Sequence, residues 1–163
     1  MVLSRQTIEK LIALNELTIR PYNPKHLGAC SYDLHLGNLA VYPESGEERK
    51  LVPSLYLLPN EFVLIQTEEY LNLPADLIGH VVPRSSAARL GLLVNFGSEL
   101  IQPSSSGKLV LEIKNLSSKE ILLQKGLSIS QIYFEKLDQP AEQKESSGKR
   151  KKGITSGLCE EVK

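Results

Sequence analysis

The sequence carries no net charge: 19 lysines and arginines balance 19 aspartates and glutamates over 163 residues. No global field exists to hold nucleic acid or an anionic membrane surface, so any anion site must be built locally. Long apolar runs are missing as well. No stretch approaches the roughly 18 apolar residues of a spanning helix, and the N-terminus lacks a basic segment followed by an uninterrupted apolar run. The expectation is a cytoplasmic protein with neither nucleic acid nor a membrane as partner. Cysteine is scarce: Cys30 and Cys159 lie far apart, and neither belongs to a C-x-x-C pair. That excludes a disulfide framework and a cysteine metal knuckle, and both thiols read as reduced. No internal repeat is present.

What is present suits one domain, since 41% of the residues are hydrophobic and can supply a core. Ser4 is placed to cap a helix that carries Ile8, Leu11 and Ile12 on one face. Leu3 and Ile8 stand at the two positions of a hydrophobic staple, and the helix is expected to end near Asn15 to Leu17. From Pro21 onward short apolar runs alternate with turn chemistry, as at Pro43-Glu44-Ser45-Gly46, Pro59-Asn60 and Ser104-Ser105-Ser106-Gly107. Strands punctuated in this way predict a mostly β chain, a distorted barrel or jelly roll.

Strand periodicity is clearest from Leu109 to Asn115. Leu109, Leu111 and Ile113 share one face, while Val110, Glu112 and Lys114 share the other. A second run, Gly126 to Leu137, predicts Leu127, Ile129 and Gln131 on one face. The β domain should therefore occupy residues 1–138. Residues 139–163 read as a polar, basic, mobile tail around Lys149-Arg150-Lys151-Lys152.

Residues Arg84 to Gly91 predict a very short helix near residues 85–90, with Ser85 or Ser86 as N-cap, Ala87 and Ala88 inside, and Gly91 as the stop. Free N–H groups, two hydroxyls, Arg84 and Arg89 together make a local anion site, with phosphate as its natural guest. An ordinary capped turn with solvated arginines fits the same residues. Ser85 and Arg89, four apart, share a helical face and can converge on one ligand or carboxylate.

The run Leu73-Pro74-Ala75-Asp76-Leu77-Ile78-Gly79, followed by Pro83-Arg84-Ser85-Ser86-Ala87-Ala88-Arg89-Leu90-Gly91-Leu92, resembles the signature region of dCTP deaminases, relatives of trimeric dUTPases. Ser31-Tyr32-Asp33-Leu34-His35-Leu36-Gly37-Asn38, Gly107 to Asn115 and Gly126 to Leu137 are similar to further family segments, in order, so the resemblance spans about Leu3 to Leu137. It implies a dUTPase-like β fold and hydrolytic deamination of dCTP, or a related cytosine nucleotide, without zinc. By the resemblance Glu112 would be the general base, its basicity raised by partial shielding on the Val110 face. Ser85 and Arg89 would orient it and the water, across a subunit boundary of a homotrimer. Arg84, Ser86 and Gln131 would hold phosphates, Ser98 and Gln102 would complete the substrate contacts, and Mg²⁺ would arrive with the triphosphate. A zinc-dependent deaminase needs H-x-E with P-C-x-x-C, which His26, His35 and His80 lack.

Two segments depart from the family. Where relatives carry an aspartate and an aromatic ring that contact the deoxyribose, this chain has Gln102-Pro103-Ser104-Ser105-Ser106. Gln102 keeps a hydrogen bond without charge and Ser105 cannot stack. An uncompensated loss of about 1.5–3 kcal/mol for the charged bond and about 1–3 kcal/mol for the ring would weaken binding by roughly 10²–10⁴-fold. The tail keeps Gly153 and Thr155 but lacks the family tyrosine. Lys151 and its neighbours either grip phosphates as point charges or form a basic tail with no ligand. Two other readings follow: a dUTP diphosphatase, or a nucleotide-binding member without turnover.

Overall fold

Ser4 starts the first helix, α1 (Arg5–Ala13), its hydroxyl accepting the Thr7 N–H at 3.5 Å. Leu3 and Ile8 are both buried, as the staple requires. The helix stops before Asn15, short of the expected end, because Asn15 adopts φ 58° and a left-handed residue cannot continue a right-handed helix. The computed structural model describes residues 1–51, 54–97 and 99–142. The expected tail therefore lies, from residue 143 on, outside the described residues.

The remaining elements are almost all strand: β1 (Thr18–Arg20), β2 (Ser31–Tyr42), β3 (Glu47–Lys50), β4 (Ser54–Leu57), β5 (Phe62–Asn72), β6 (Leu77–Pro83), β7 (Leu92–Val94), β8 (Leu100–Ile101), β9 (Ser106–Asn115), β10 (Ile121–Gln124) and β11 (Ser128–Lys136). One short helix, α2 (Ser85–Arg89), interrupts them between β6 and β7. The main sheet runs β7-β9-β5-β2-β11-β6-β8, with β1 on β5 and β3 on β2, while β4 and β10 form a separate pair. It curls into a half-barrel around Tyr32, Leu34 and Leu36 of β2, Ile65 and Leu71 of β5, Leu111 and Ile113 of β9, and Ile132 and Phe134 of β11, all buried. The predicted two-residue alternation of β9 holds, with Leu111, Ile113 and Asn115 inward and Glu112 and Lys114 outward and partly exposed. Val110 is itself exposed, so its side of β9 gives Glu112 little cover within this chain.

Bulges aim the side chains that matter. Along β5, Gln66 faces Val110 and Tyr70 faces Lys108, so four steps on β5 match two on β9. Along β2, Leu36 faces Thr67 and Ala40 faces Ile65, and here Gly37 passes so close to β5 that a Cβ would lie 2.6 Å from the Gln66 carbonyl oxygen. In β11 the register shifts between Ser128 and Ser130. That shift corrects the sequence expectation: Ile129 and Ser130 are both buried in succession, and Gln131 turns to the opposite side, opposite Asp33 of β2. A single extra residue reverses every face beyond it, and no periodicity in the sequence announces where it falls.

Candidate active site

The turn at the end of β6 is fixed by backbone before any side chain acts. Arg84 donates its N–H to the Ile129 carbonyl at 2.8 Å, and Leu90 caps α2 ahead of Gly91, whose φ of 87° supplies the predicted stop. The helix, Ser85–Arg89, falls within the expected residues 85–90, but its cap differs. Arg84, not Ser85 or Ser86, occupies the N-cap position and makes no side-chain cap bond, so both serines sit in the first turn with exposed hydroxyls. First-turn N–H groups have no intrahelical partner, and the two exposed serines belong to that turn.

Arg84 is held across the sheet. Its Nη1 pairs with Asp33 Oδ2 at 3.0 Å, and Asp33 faces Gln131, whose Oε1 accepts the Ser31 hydroxyl at 2.8 Å. The structure thus unites Arg84 and Gln131, both predicted, with Asp33 and Ser31, which sequence reasoning left without a role. Asp33 lies in one of the segments similar to the family, but nothing in its spacing ties it to an arginine 51 residues further on.

Glu112 occupies a second centre. Its backbone N–H bonds Asn95 Oδ1 at 3.1 Å, its carbonyl accepts the Asn95 N–H at 2.8 Å, and its Oε2 accepts the Gly97 N–H at 2.8 Å. Asn95 is buried with φ 51°, and a Cβ on Gly97 would stand 2.8 Å from Oε2. The loop after β7 therefore clamps the carboxylate through Oε2, and Oε1 has no hydrogen-bond partner among the described residues. Phe96, half-exposed, packs edge-on against Phe62 at 5.6 Å in the same loop. Asn95 and Gly97 are the other residues that the sequence reading missed.

Further along β9 lies a cavity of about 210 Å³ whose lining includes Gln102, Ser105, Ser106, Lys108 and Leu109. Its loop is shaped by the backbone: Ser104 takes φ 59°, its N–H bonds the Pro74 carbonyl at 3.2 Å, and Ser105 accepts the Leu73 N–H at 3.0 Å. Leu109 is three residues from Glu112, about 10 Å along the strand and roughly the breadth of a nucleoside.

Within one chain β7 stands between α2 and the loop that holds Glu112. The α2 end of β7 is tied to the far end of β9, with the Leu116 N–H on the Gly91 carbonyl at 2.8 Å, whereas Glu112 pairs with Asn95 beyond the other end. The intervening strand is three residues long, about 10 Å. Ser85 and Arg89 are exposed, and Arg89 makes no ion pair among the described residues. Ser98, Lys151 and Thr155 lie outside the described residues.

A family described as dCTP deaminase-like matches residues 2–137. Among curated proteins, a "dCTP deaminase, dUMP-forming" from Aquifex aeolicus is 35% identical, the match covering 94% of this chain and 92% of the relative. Another of the same description from Dictyoglomus thermophilum is 33% identical over 87% of this chain and 84% of its own. Among solved structures, a 2′-deoxycytidine 5′-triphosphate deaminase from Agrobacterium tumefaciens is similar with a TM-score of 0.69 at 24% identity, the match covering 82% of this chain and 48% of that one. A dUTPase of EIAV shares the fold at a TM-score of 0.55 and 17% identity, covering 82% of this chain and 98% of its own.

Proposed function

Because the chain belongs to the dCTP deaminase-like family, we propose that it hydrolytically deaminates dCTP or a related cytosine nucleotide, with Glu112 as general base. The observation that carries this reading is the clamp on Glu112. One carboxylate oxygen is bonded to the Gly97 N–H, and the other, without a partner among the described residues, would take a water. That water's oxygen would bond to C4 of the cytosine ring as Glu112 takes its proton, the C4=N3 π pair moving to N3, which Glu112 then protonates. The remaining hydroxyl proton passes through Glu112 to N4, the C4–N4 bond breaks, and ammonia leaves as the C4 carbonyl forms. Zinc has no part in this sequence of steps.

Arg84, Ser86 and Gln131 would receive the phosphates, with Arg84 already steadied by Asp33. Mg²⁺ would come with the triphosphate and offset part of its charge. Asp33 supplies one carboxylate on that face, consistent with an ion bound chiefly through its substrate. Ser85 and Arg89 would act on a Glu112 other than their own, since about 10 Å of β7 separates them in one chain. That separation calls for a second subunit, as in the homotrimer with sites between subunits that we propose. Gln102 would meet the sugar from the cavity beside Leu109.

The test is a panel of deoxy- and ribonucleotides of cytosine incubated with Mg²⁺, with products separated by chromatography. Ammonia and a uracil nucleotide are expected, and no ammonia from any member would end the deaminase reading. The relatives described as dUMP-forming give a second outcome specific meaning. Release of dUMP and pyrophosphate, in place of dUTP, would show diphosphatase chemistry added to deamination.

The clamp makes a further prediction. Gly97→Ala places a methyl group 2.8 Å from Oε2 and must push the carboxylate aside. A displacement near 1 Å at a reacting group lowers turnover by about 10²-fold. The measured quantity is kcat for ammonia release, and a change smaller than about threefold would remove the clamp from the mechanism.

A further inference from the structure

Among the described residues Glu69 is the one fully buried carboxylate, at 2% exposure. It leaves β5 at the bulge between Gln66 and Tyr70. Thr67 holds that bulge, donating its hydroxyl to the Glu69 carbonyl at 2.9 Å and accepting the Leu109 N–H at 3.0 Å. The carboxylate crosses to β2 and gives both oxygens to one residue. Its Oε2 accepts the His35 backbone N–H at 2.9 Å, and its Oε1 lies 2.5 Å from His35 Nδ1. His26 closes the other side, with its ring 4.2 Å from that of His35.

A buried carboxylate is a poor route to stability, because apolar residues of the same volume do as well or better. What this one supplies is geometry. His35 faces Ser128 at the β11 bulge, so Glu69 pins β2 where it runs between two irregular neighbours. A slip of one residue would turn Asp33 away from the outer face and into the core. Asp33 is two residues from His35, about 7 Å along the strand, and holds Arg84 at 3.0 Å. We infer that Glu69 is a positioning residue for the phosphate grip, acting through His35 and Asp33 to set Arg84. The inference rests on the proposed assignment of Arg84 to the nucleotide phosphates.

Steady-state constants for ammonia release by the full chain, measured with dCTP and with dCMP, test it. Glu69→Gln should raise KM for dCTP by about tenfold or more and KM for dCMP far less, with kcat held within about threefold. His35→Gln, which retains an N–H donor toward the carboxylate, should keep the dCTP KM within about threefold of the starting value. His35→Leu should behave like Glu69→Gln. Equal rises for both nucleotides, or a lowered melting temperature with unchanged constants, would overturn the role, because a merely structural pair does not count phosphates. Calorimetry with inorganic tripolyphosphate separates this inference from the reading beneath it. If neither nucleotide yields ammonia, the deaminase reading fails. The positioning role then stands on an approximately tenfold weaker tripolyphosphate affinity in Glu69→Gln, and falls if affinity is unchanged.

Discussion

Glutamine in place of Glu112 is expected to slow ammonia release by about 10²–10⁴-fold while leaving the melting temperature and the state of assembly as they are. The amide is nearly the size of the carboxylate, and its oxygen can still accept the Gly97 N–H that now bonds Oε2 at 2.8 Å. Glu112 lies on the outward face of β9, so no core contact is lost. What disappears is the ability to take a proton from water and hand it to the departing nitrogen. A coupled ammonia assay beside a thermal scan separates the two effects. Residual turnover within about tenfold of the starting enzyme would show that the proton goes elsewhere. A large fall in melting temperature would show that the glutamate is structural.

Gly37→Ala should act through the fold. Its added Cβ would meet the Gln66 carbonyl oxygen at 2.6 Å and that of Thr67 at 3.1 Å, and both are backbone atoms in a sheet interior that cannot swing away. Forcing β2 and β5 apart is expected to remove about 2–4 kcal/mol of stability and lower the melting temperature by about 5–15 °C. Gly28→Ala is the matching control, since its nearest neighbour would be the Ser31 carbonyl oxygen at 3.4 Å, an ordinary contact. Urea titration of both variants checks the contrast. A loss below about 0.5 kcal/mol for Gly37→Ala would mean that the bulge relaxes around a methyl group.

The fold was legible wherever a local rule had no competitor. Ser4, Leu3 and Ile8 announce α1 because cap and staple are contained within one turn. Leu111 and Ile113 announce the inner face of β9 because that strand is regular there. The face of Gln131 was not legible, because it depends on a one-residue irregularity whose cause is the pairing of β11 with β2. The N-cap of α2 was misplaced for a related reason: serine is the better cap, but the Arg84 N–H is committed to β11 and fixes where the helix begins. Within the site, Arg84 and Glu112 stood out because their residue types sit in a recognisable run. Asp33, Asn95 and Gly97 act by proximity across strands, which no spacing along the chain encodes.

Among the described residues, the loop from Gln102 to Ser105 is hydrogen-bonded through its main chain alone, and the Ser106 hydroxyl that follows is held by that of Tyr70. The Ser105 N–H returns to the Gln102 carbonyl at 3.2 Å, and the other ties run to Pro74 and from Leu73. The Gln102 and Ser105 side chains lining the adjoining cavity therefore carry no hydrogen-bonding duty in holding the loop's shape. They form an interchangeable facing on a fixed frame. A lineage could trade one for another in single mutational steps, altering which ligand is admitted while Arg84 and Glu112 stay where they are.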